Sequence, residues 1–399
     1  MTPLERKKEK KNPTDLGFLN LLNELKELEL ENVTFVVERL EFILQPQIIG
    51  LPAPRGLEAA RKLTEILASE FVPPIETYRG QVAEVILGAT KAEGGTRSRT
   101  ITIGGEKTPP FYSFEGEKPH PPVVVGDVFD MKISIPRPVR DHFGDAVEDP
   151  AEWARLYVEK YDADMIDLEL ISTDPLLKDT PASEAAKLVE EVLQAVDVPL
   201  IIGGSGSPKK DGEVLTKAAE VAEGERVLLS SATSDLYKPI AEAAVKYGHN
   251  VLAWTSLEIN QQKELNRKLF EYLPKERIVI DPTSAALGYG IEYAFTIMER
   301  MRLAALYGDQ ELQMPLCSAT SNSWAAREAW RKDPELGPRN LRGPLWEATS
   351  ALAFLLAGVD LYIMLHPAAI KTLKDVSGWL MNKDSGGVNP VDWVGLEVS

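Results

Sequence analysis

The chain has 399 residues, 44% of them hydrophobic, which is ample for a core and leaves room for one large domain with an extension or for two domains. Its 61 acidic and 44 basic side chains give a net charge of -17, which repels phosphate backbones and anionic lipid and argues against nucleic acid or a membrane surface as the main partner. The single cysteine, Cys317, excludes an internal disulfide, gives the chain no cysteine cluster or zinc site of its own, and fits the reducing cytoplasm.

In chain order, the basic run Arg6 to Lys11 reads as a solvated tail. Phe18, Leu21, Leu22, Leu25 and Leu28 then recur at helical spacing, Val33 to Leu44 reads as a strand, and Gly56 to Phe71 reads as an amphipathic helix. Residues 1–80 are therefore expected to form a small α/β extension. No apolar run is long enough to span a bilayer, and no signal-peptide core follows the basic start, so a soluble, unprocessed cytoplasmic protein is expected. Val82 to Leu87 and Thr100 to Ile103, joined by the turn-rich KAEGGTRS, form a hairpin, and Gly104 to Pro122 reads as irregular connection. Residues 81–122 make up this second segment.

From Val123 to the end, strand-like runs alternate with helical ones. Eight apolar runs begin near Val123, Ala163, Val198, Arg226, Asn250, Arg277, Met314 and Val359, and helical periodicity fills most of the intervals, from Pro150 to Tyr161 through Pro344 to Gly358. Asp375 to Met381 closes the set. The fold expected for residues 123–399 is a (β/α)8 TIM barrel, because parallel strands buried on both faces read as nearly continuous apolar runs. The hairpin is placed to cover its bottom.

In a barrel the residues that end the strands form the functional face. Here they are Asp127, Asp130, Asp167, Glu169, Ser205, Ser231, Thr233, Thr255, Asp281, Thr283, Ser318, Thr320 and His366. No lysine lies within a strand run, which weighs against a Schiff-base aldolase. Asp167, Glu169, Asp281 and His366 contain metal-ligand atoms but lack a spacing that joins them. The loop GGSGSPKKDGE (Gly203 to Glu213) matches neither the dinucleotide nor the Walker pattern and reads as a βα turn, with donation of its N–H groups to a ligand left open. His142, in RDHFG, lacks the Asp-x-His-x-x-Gly order of a cobalamin-binding histidine and reads as a surface loop residue. Cys317 reads as core, and Trp324 either packs a helix or covers a flat ligand.

Two long, irregular stretches carry a family signature: EGGTRSRTITIGGEKTPPFYSFEGEKPHPPVVVGDVFD (Glu93 to Asp130) and DPTSAALGYGIEYAFTIMERMRLAALYGD (Asp281 to Asp309). They resemble the delta subunit of the archaeal acetyl-CoA decarbonylase/synthase complex, the counterpart of the small subunit of the bacterial corrinoid/iron–sulfur protein. The similarity extends from about Val82 to Met381. It implies a barrel without a cluster of its own, paired as a heterodimer with a larger gamma subunit that carries the iron–sulfur cluster and most of the corrinoid site. The corrinoid then lies between the two subunits. A methyl group passes from a tetrahydropterin to cobalt and onward to acetyl-CoA synthase, with transient contacts to the methyltransferase and the synthase. In this reading the chain has no catalytic residue and no metal ligand, and Ser231, Thr233, Asp281, Thr283, Ser318, Thr320 and Asn322 line a mouth that bonds the peripheral amides of the corrin. The extension to about Gly80 departs from the shorter bacterial pattern. Two other readings stand beside it: a pterin-dependent methyltransferase barrel with Asp127, Asp167 or Asp281 on the pterin ring, and a metal-dependent lyase or hydrolase.

Overall fold

The computed structural model describes residues 72, 75–284 and 290–381. By contacts the chain divides into two units, Met1–Val72 and Pro73–Ser399. The helix, strand and helix expected up to Phe71 lie outside the described residues, as do residues 285–289.

Two short strands, β1 (Val85–Leu87) and β2 (Ile101–Ile103), pair antiparallel as the expected hairpin. Eight parallel strands follow: β3 (Val123–Phe129), β4 (Met165–Glu169), β5 (Leu200–Gly203), β6 (Leu228–Ala232), β7 (Asn250–Trp254), β8 (Ile278–Asp281), β9 (Cys317–Ala319) and β10 (Leu361–Met364). Their spatial order is β8-β7-β6-β5-β4-β3-β10-β9. The circle closes where Ile280 bridges Leu316 and the Ile280 N–H donates to the carbonyl of Pro315 at 2.9 Å. This is the eight-stranded β/α barrel that the alternating pattern predicts.

The helices that follow the strands are α1 (Arg137–Phe143), α2 (Pro150–Tyr161), α3 (Ala182–Ala195), α4 (Pro208–Val221), α5 (Tyr237–Tyr247), α6 (Ile259–Leu269), α7 (Ile291–Leu306), α8 (Arg327–Trp330), α9 (Arg339–Ala357) and α10 (Pro367–Met381). Each longer helix buries one stripe. In α3 it is Ala182, Ala185, Ala186, Val189, Val192 and Leu193, a spacing of three and four residues that lies on one helical face. These stripes pack on outward-facing strand residues such as Val124, Ile166, Ile202, Leu229 and Tyr362, all fully buried. Burying each such side chain stabilises the fold by about 1.5–3 kcal/mol.

Two boundaries differ from the sequence expectation, and proline explains both. His142 lies on α1 and not in a loop, although it is exposed, and α4 begins at Pro208 inside the stretch read as a turn. Each helix has proline in its first turn, where the missing N–H is no loss.

Period two along each strand sends alternate residues into the barrel. Val123, Val125, Met165, Ile201, Leu228, Leu252, Val279, Cys317 and Leu361 form its lower interior, and Val85, Leu87 and Ile103 of the hairpin pack against them. The hairpin therefore plugs the bottom. Asn250 Nδ2 donates to the Ile86 carbonyl at 2.8 Å, and the Gly88 N–H donates to Arg226 O at 3.0 Å. The connection 104–122 is irregular as expected, but it carries charge into the core. Lys118 contacts Glu106 at 2.5 Å and Asp360 at 2.9 Å, and Arg302 contacts Asp360 at 2.5 Å and Glu106 at 3.4 Å. Two acids and two bases are buried together, fastening the connection to α7 and to the start of β10.

Candidate functional site

The opposite end of the barrel interior is acidic. Counting by two from Val125, Met165 and Val279 brings Asp127, Asp167, Glu169 and Asp281 onto the inner face, and the pairing of β3 with β4 sets Asp127 beside Asp167. Asp127, Asp167 and Asp281 are buried and Glu169 is half-buried. Gly203, paired with Glu169, leaves space for it, since a Cβ at this glycine would overlap the Glu169 carboxyl. Among the described residues none of the four acids has an ion-pair partner. Asp127 Oδ1 and both oxygens of Asp167 are buried without a hydrogen-bond donor.

Burial therefore governs their ionisation. It pushes Asp127 and Asp281 up to about 7, against the opposing hydrogen bond that Asp281 Oδ1 accepts from the Thr283 N–H at 2.8 Å. Asp167 and Glu169 are pushed well above the carboxylate range, first by burial and then by neighbouring acids: Asp127 and Asp281 act on Asp167, and Asp167 and Asp127 act on Glu169. Asp167 thus disfavours the ionisation of Glu169, because neighbouring carboxyl groups cannot both ionise at little cost.

The hydroxyls expected to line the mouth have several placements. Ser231 and Thr233 are half-buried at and just beyond the end of β6, and Asn322 is exposed in the 3-10 turn Thr320–Ala325. The Thr283 hydroxyl donates to the Thr255 carbonyl at 2.7 Å, tying the ends of β7 and β8 together, and its φ of 74° is a left-handed conformation that a β-branched residue rarely adopts. Ser318 and Thr320 are fully buried with their hydroxyls 2.8 Å apart. Ser318 follows the inward-facing Cys317, so it faces the helical layer and not the barrel interior. The structure thus gathers Asp281 with Asp127, Asp167 and Glu169, leaves Ser231, Thr233 and Asn322 at the rim, and places Thr283, Ser318 and Thr320 in supporting bonds.

Other candidates resolve locally. In the glycine-rich loop Asp211 accepts the Ser205 N–H at 2.9 Å, the Ser205 hydroxyl at 2.8 Å and the Gly206 N–H at 2.8 Å, so these donors are already used. Trp324 packs over Gly343 of α9, where a Cβ would overlap its ring, and donates to Glu347 Oε2 at 3.0 Å. His366 stacks on Trp324 with ring centroids 6.0 Å apart and meets His142 edge-on at 4.8 Å. No three His, Cys, Asp or Glu side chains among the described residues are grouped so as to hold a metal ion. Cys317 lies in the lower interior, where burial pushes its thiol well up. Beside the mouth, a cleft of about 830 Å³ runs between Ile135, Pro136, Arg137, Trp324, Trp330 and Arg339.

Sequence reasoning placed the four acids at strand ends without joining them into one group. The usable signal was parity: Asp167 and Glu169 are two positions apart in an otherwise apolar strand, hence on one face. Trp254, at the end of β7 and in register with Asp281, was also missed.

Among solved structures, the chain is similar to the dihydropteroate synthase of Xanthomonas albilineans with 4-aminobenzoic acid, at 17% identity and a TM-score of 0.45 over 65% of this chain and 92% of that one. The family described as CO dehydrogenase/acetyl-CoA synthase delta subunit matches residues 84–332. Acetyl-CoA decarbonylase/synthase complex subunit delta of Archaeoglobus fulgidus is 52% identical over 372 residues, 90% of this chain and 82% of that protein. The subunit delta of Methanocaldococcus jannaschii is 43% identical over 94% of this chain and 95% of its own length. With similarity of this depth along a barrel whose strands and hairpin it spans, the chain belongs to the CO dehydrogenase/acetyl-CoA synthase delta subunit family.

Proposed function

We propose that the chain serves as the delta subunit of an acetyl-CoA decarbonylase/synthase complex. In this reading it pairs with a larger corrinoid- and cluster-carrying gamma subunit and caps the corrinoid with the mouth of its barrel, while a methyl group moves from a tetrahydropterin to cobalt and on to acetyl-CoA synthase. The observation that carries the reading is the family membership, which spans the hairpin and most of the barrel. The rim chemistry supports it. A cap over reduced cobalt excludes water and supplies shape and hydrogen bonds, and Ser231, Thr233 and Asn322 offer neutral donors and acceptors at that face. Asp281, Thr283, Ser318 and Thr320 hold the strand ends that present them.

The mouth side also exposes Trp330, Leu336, Leu341 and Leu345, a group of apolar side chains suited to a protein partner. Among the described residues no helix is long and apolar enough to cross a membrane. The test is reconstitution. Co-purification with a cluster-containing corrinoid protein supports the reading, and methyl transfer from a methyl-tetrahydropterin to free corrinoid by this chain alone overturns it.

A further inference from the structure

Helices on the outside of the barrel meet water with charge: α5 carries Lys238 and Glu242 one turn apart, and α6 carries Glu264 and Lys268 in the same way. Helix α9 does not. From Gly343 to its end at Ala357 its sole charged side chain is Glu347, which is buried, in a chain of which 26% is charged. Its outer face is apolar instead. Leu341, Leu345 and Leu356 are 51%, 61% and 58% exposed, and Ala348 and Leu352 are half-buried between them. At about 3.6 residues per turn these positions fall on one stripe about 22 Å long, which starts at the mouth and runs down the side of the barrel.

The stripe is self-complementary. Its spacing reads the same from either end: Leu341 and Leu345, then Ala348 and Thr349, then Leu352 and Leu356. A two-fold axis between Ala348 and Thr349 therefore sets Leu341 against Leu356 of a second copy and Leu345 against Leu352 of that copy. Small side chains then lie at the crossing, where packed helix axes approach to about 8–10 Å. Charge selects the occupant as well. Each chain carries -17, so two copies repel wherever charge faces charge, and the uncharged length of α9 is where they meet without that cost. A strongly charged partner segment finds no complement there. A specific interface takes about 800 Å² from each partner, more than one helix face provides. Exposed Tyr293 of the neighbouring α7 and Trp330 of the neighbouring α8 add to the apolar surface.

We infer that the stripe on α9 is the contact between two copies of this chain, paired antiparallel about a two-fold axis at Ala348 and Thr349. The inference goes beyond the corrinoid reading and does not rest on it, because self-association is measured on the chain alone and capture of a corrinoid protein is measured separately.

The experiment is sedimentation equilibrium of the full chain from about 1 μM to about 100 μM, in low and in high salt. The expected result is a mass that rises from one chain of 44.0 kDa toward twice that value, with tighter association in high salt, which screens the like charges. Leu341→Arg and Leu356→Glu, both at exposed positions, should each weaken self-association roughly tenfold or more with native circular dichroism. An equimolar mixture of the two variants should reassociate, because the two-fold axis sets Arg opposite Glu at one end and restores a leucine pair at the other. A monomer at every concentration, unchanged association in both variants, or a mixture that stays monomeric overturns the assignment. So does loss of a co-purifying corrinoid protein in both variants of a chain that is itself monomeric, which gives the stripe to that partner.

Discussion

At the bottom of the barrel, Glu106, Lys118, Arg302 and Asp360 are buried as deeply as Asp127, Asp167 and Asp281 are at the mouth, yet the two groups differ in charge balance. The lower group sums to zero, and its bonds join the connection 104–122, α7 and the start of β10 across as many as 242 positions of sequence. Its charges hold Asp360 well below the carboxylate range: burial alone would raise it, but Arg302 and Lys118 outweigh burial. The upper group is all acid, and burial wins there. Buried charge that is compensated serves the fold, whereas buried acid that stays uncompensated weakens it.

Breaking the lower group gives the largest expected effect. Asp360→Asn leaves Lys118 and Arg302 with one acid between them and should destabilise by about 3–5 kcal/mol, measured by denaturant unfolding with an unchanged m-value. The pH profile should then separate the two groups. Because the folded values of Asp127 and Asp281 lie near 7, above the ordinary 3.8, their contribution is fully present below about pH 4 and is lost as pH rises to about 7. Asp360 works the other way, its contribution being present above the ordinary carboxylate value and lost as pH falls below it. Melting temperature should therefore fall from about pH 5 to about pH 7. Replacing Asp127 and Asp281 together by asparagine should flatten part of that fall, and Glu347, pushed up to about 7, together with Asp167 and Glu169, also pushed up by burial, contributes to the rest.

Smaller effects sharpen the picture at the rim. Thr283→Ala removes the bond to the Thr255 carbonyl while keeping the left-handed backbone and should cost about 1 kcal/mol. Asn322→Trp, at an exposed position, should change stability by less than about 0.5 kcal/mol but lower the cobalt retained by a reconstituted subunit pair. Unchanged cobalt content in that variant removes Asn322 from the proposed cap.

The barrel was legible because its signal is local. Runs such as Ile278 to Ile280 are buried on both faces, so strand after strand reads as apolar, and the helical stripes between them repeat at three and four. The site was only half legible. Proximity to a strand end suggested Ser318 and Thr320 for the mouth, but parity counted from Cys317 turns Ser318 away from the interior. Parity in turn depends on which face is inner, and this is fixed by neighbouring strands distant in sequence. The lower charge group was invisible for the same reason: Glu106 and Lys118 sit in a stretch that reads as loop, and their partners lie on α7 and before β10. Part of the first family motif is thus explained by packing, since Arg97 is buried against Glu225 at 2.7 Å and Glu106 and Lys118 enter the lower group.

The most direct test of the contrast between the two ends is the stability of Asp167→Asn at pH 7. Burial and the neighbouring acids Asp127 and Asp281 disfavour the charged form of Asp167 in the fold, and asparagine removes this penalty with little change of shape. The account predicts a gain in unfolding free energy. A loss of stability comparable to that of Asp360→Asn would contradict it and would make the mouth acids part of the scaffold.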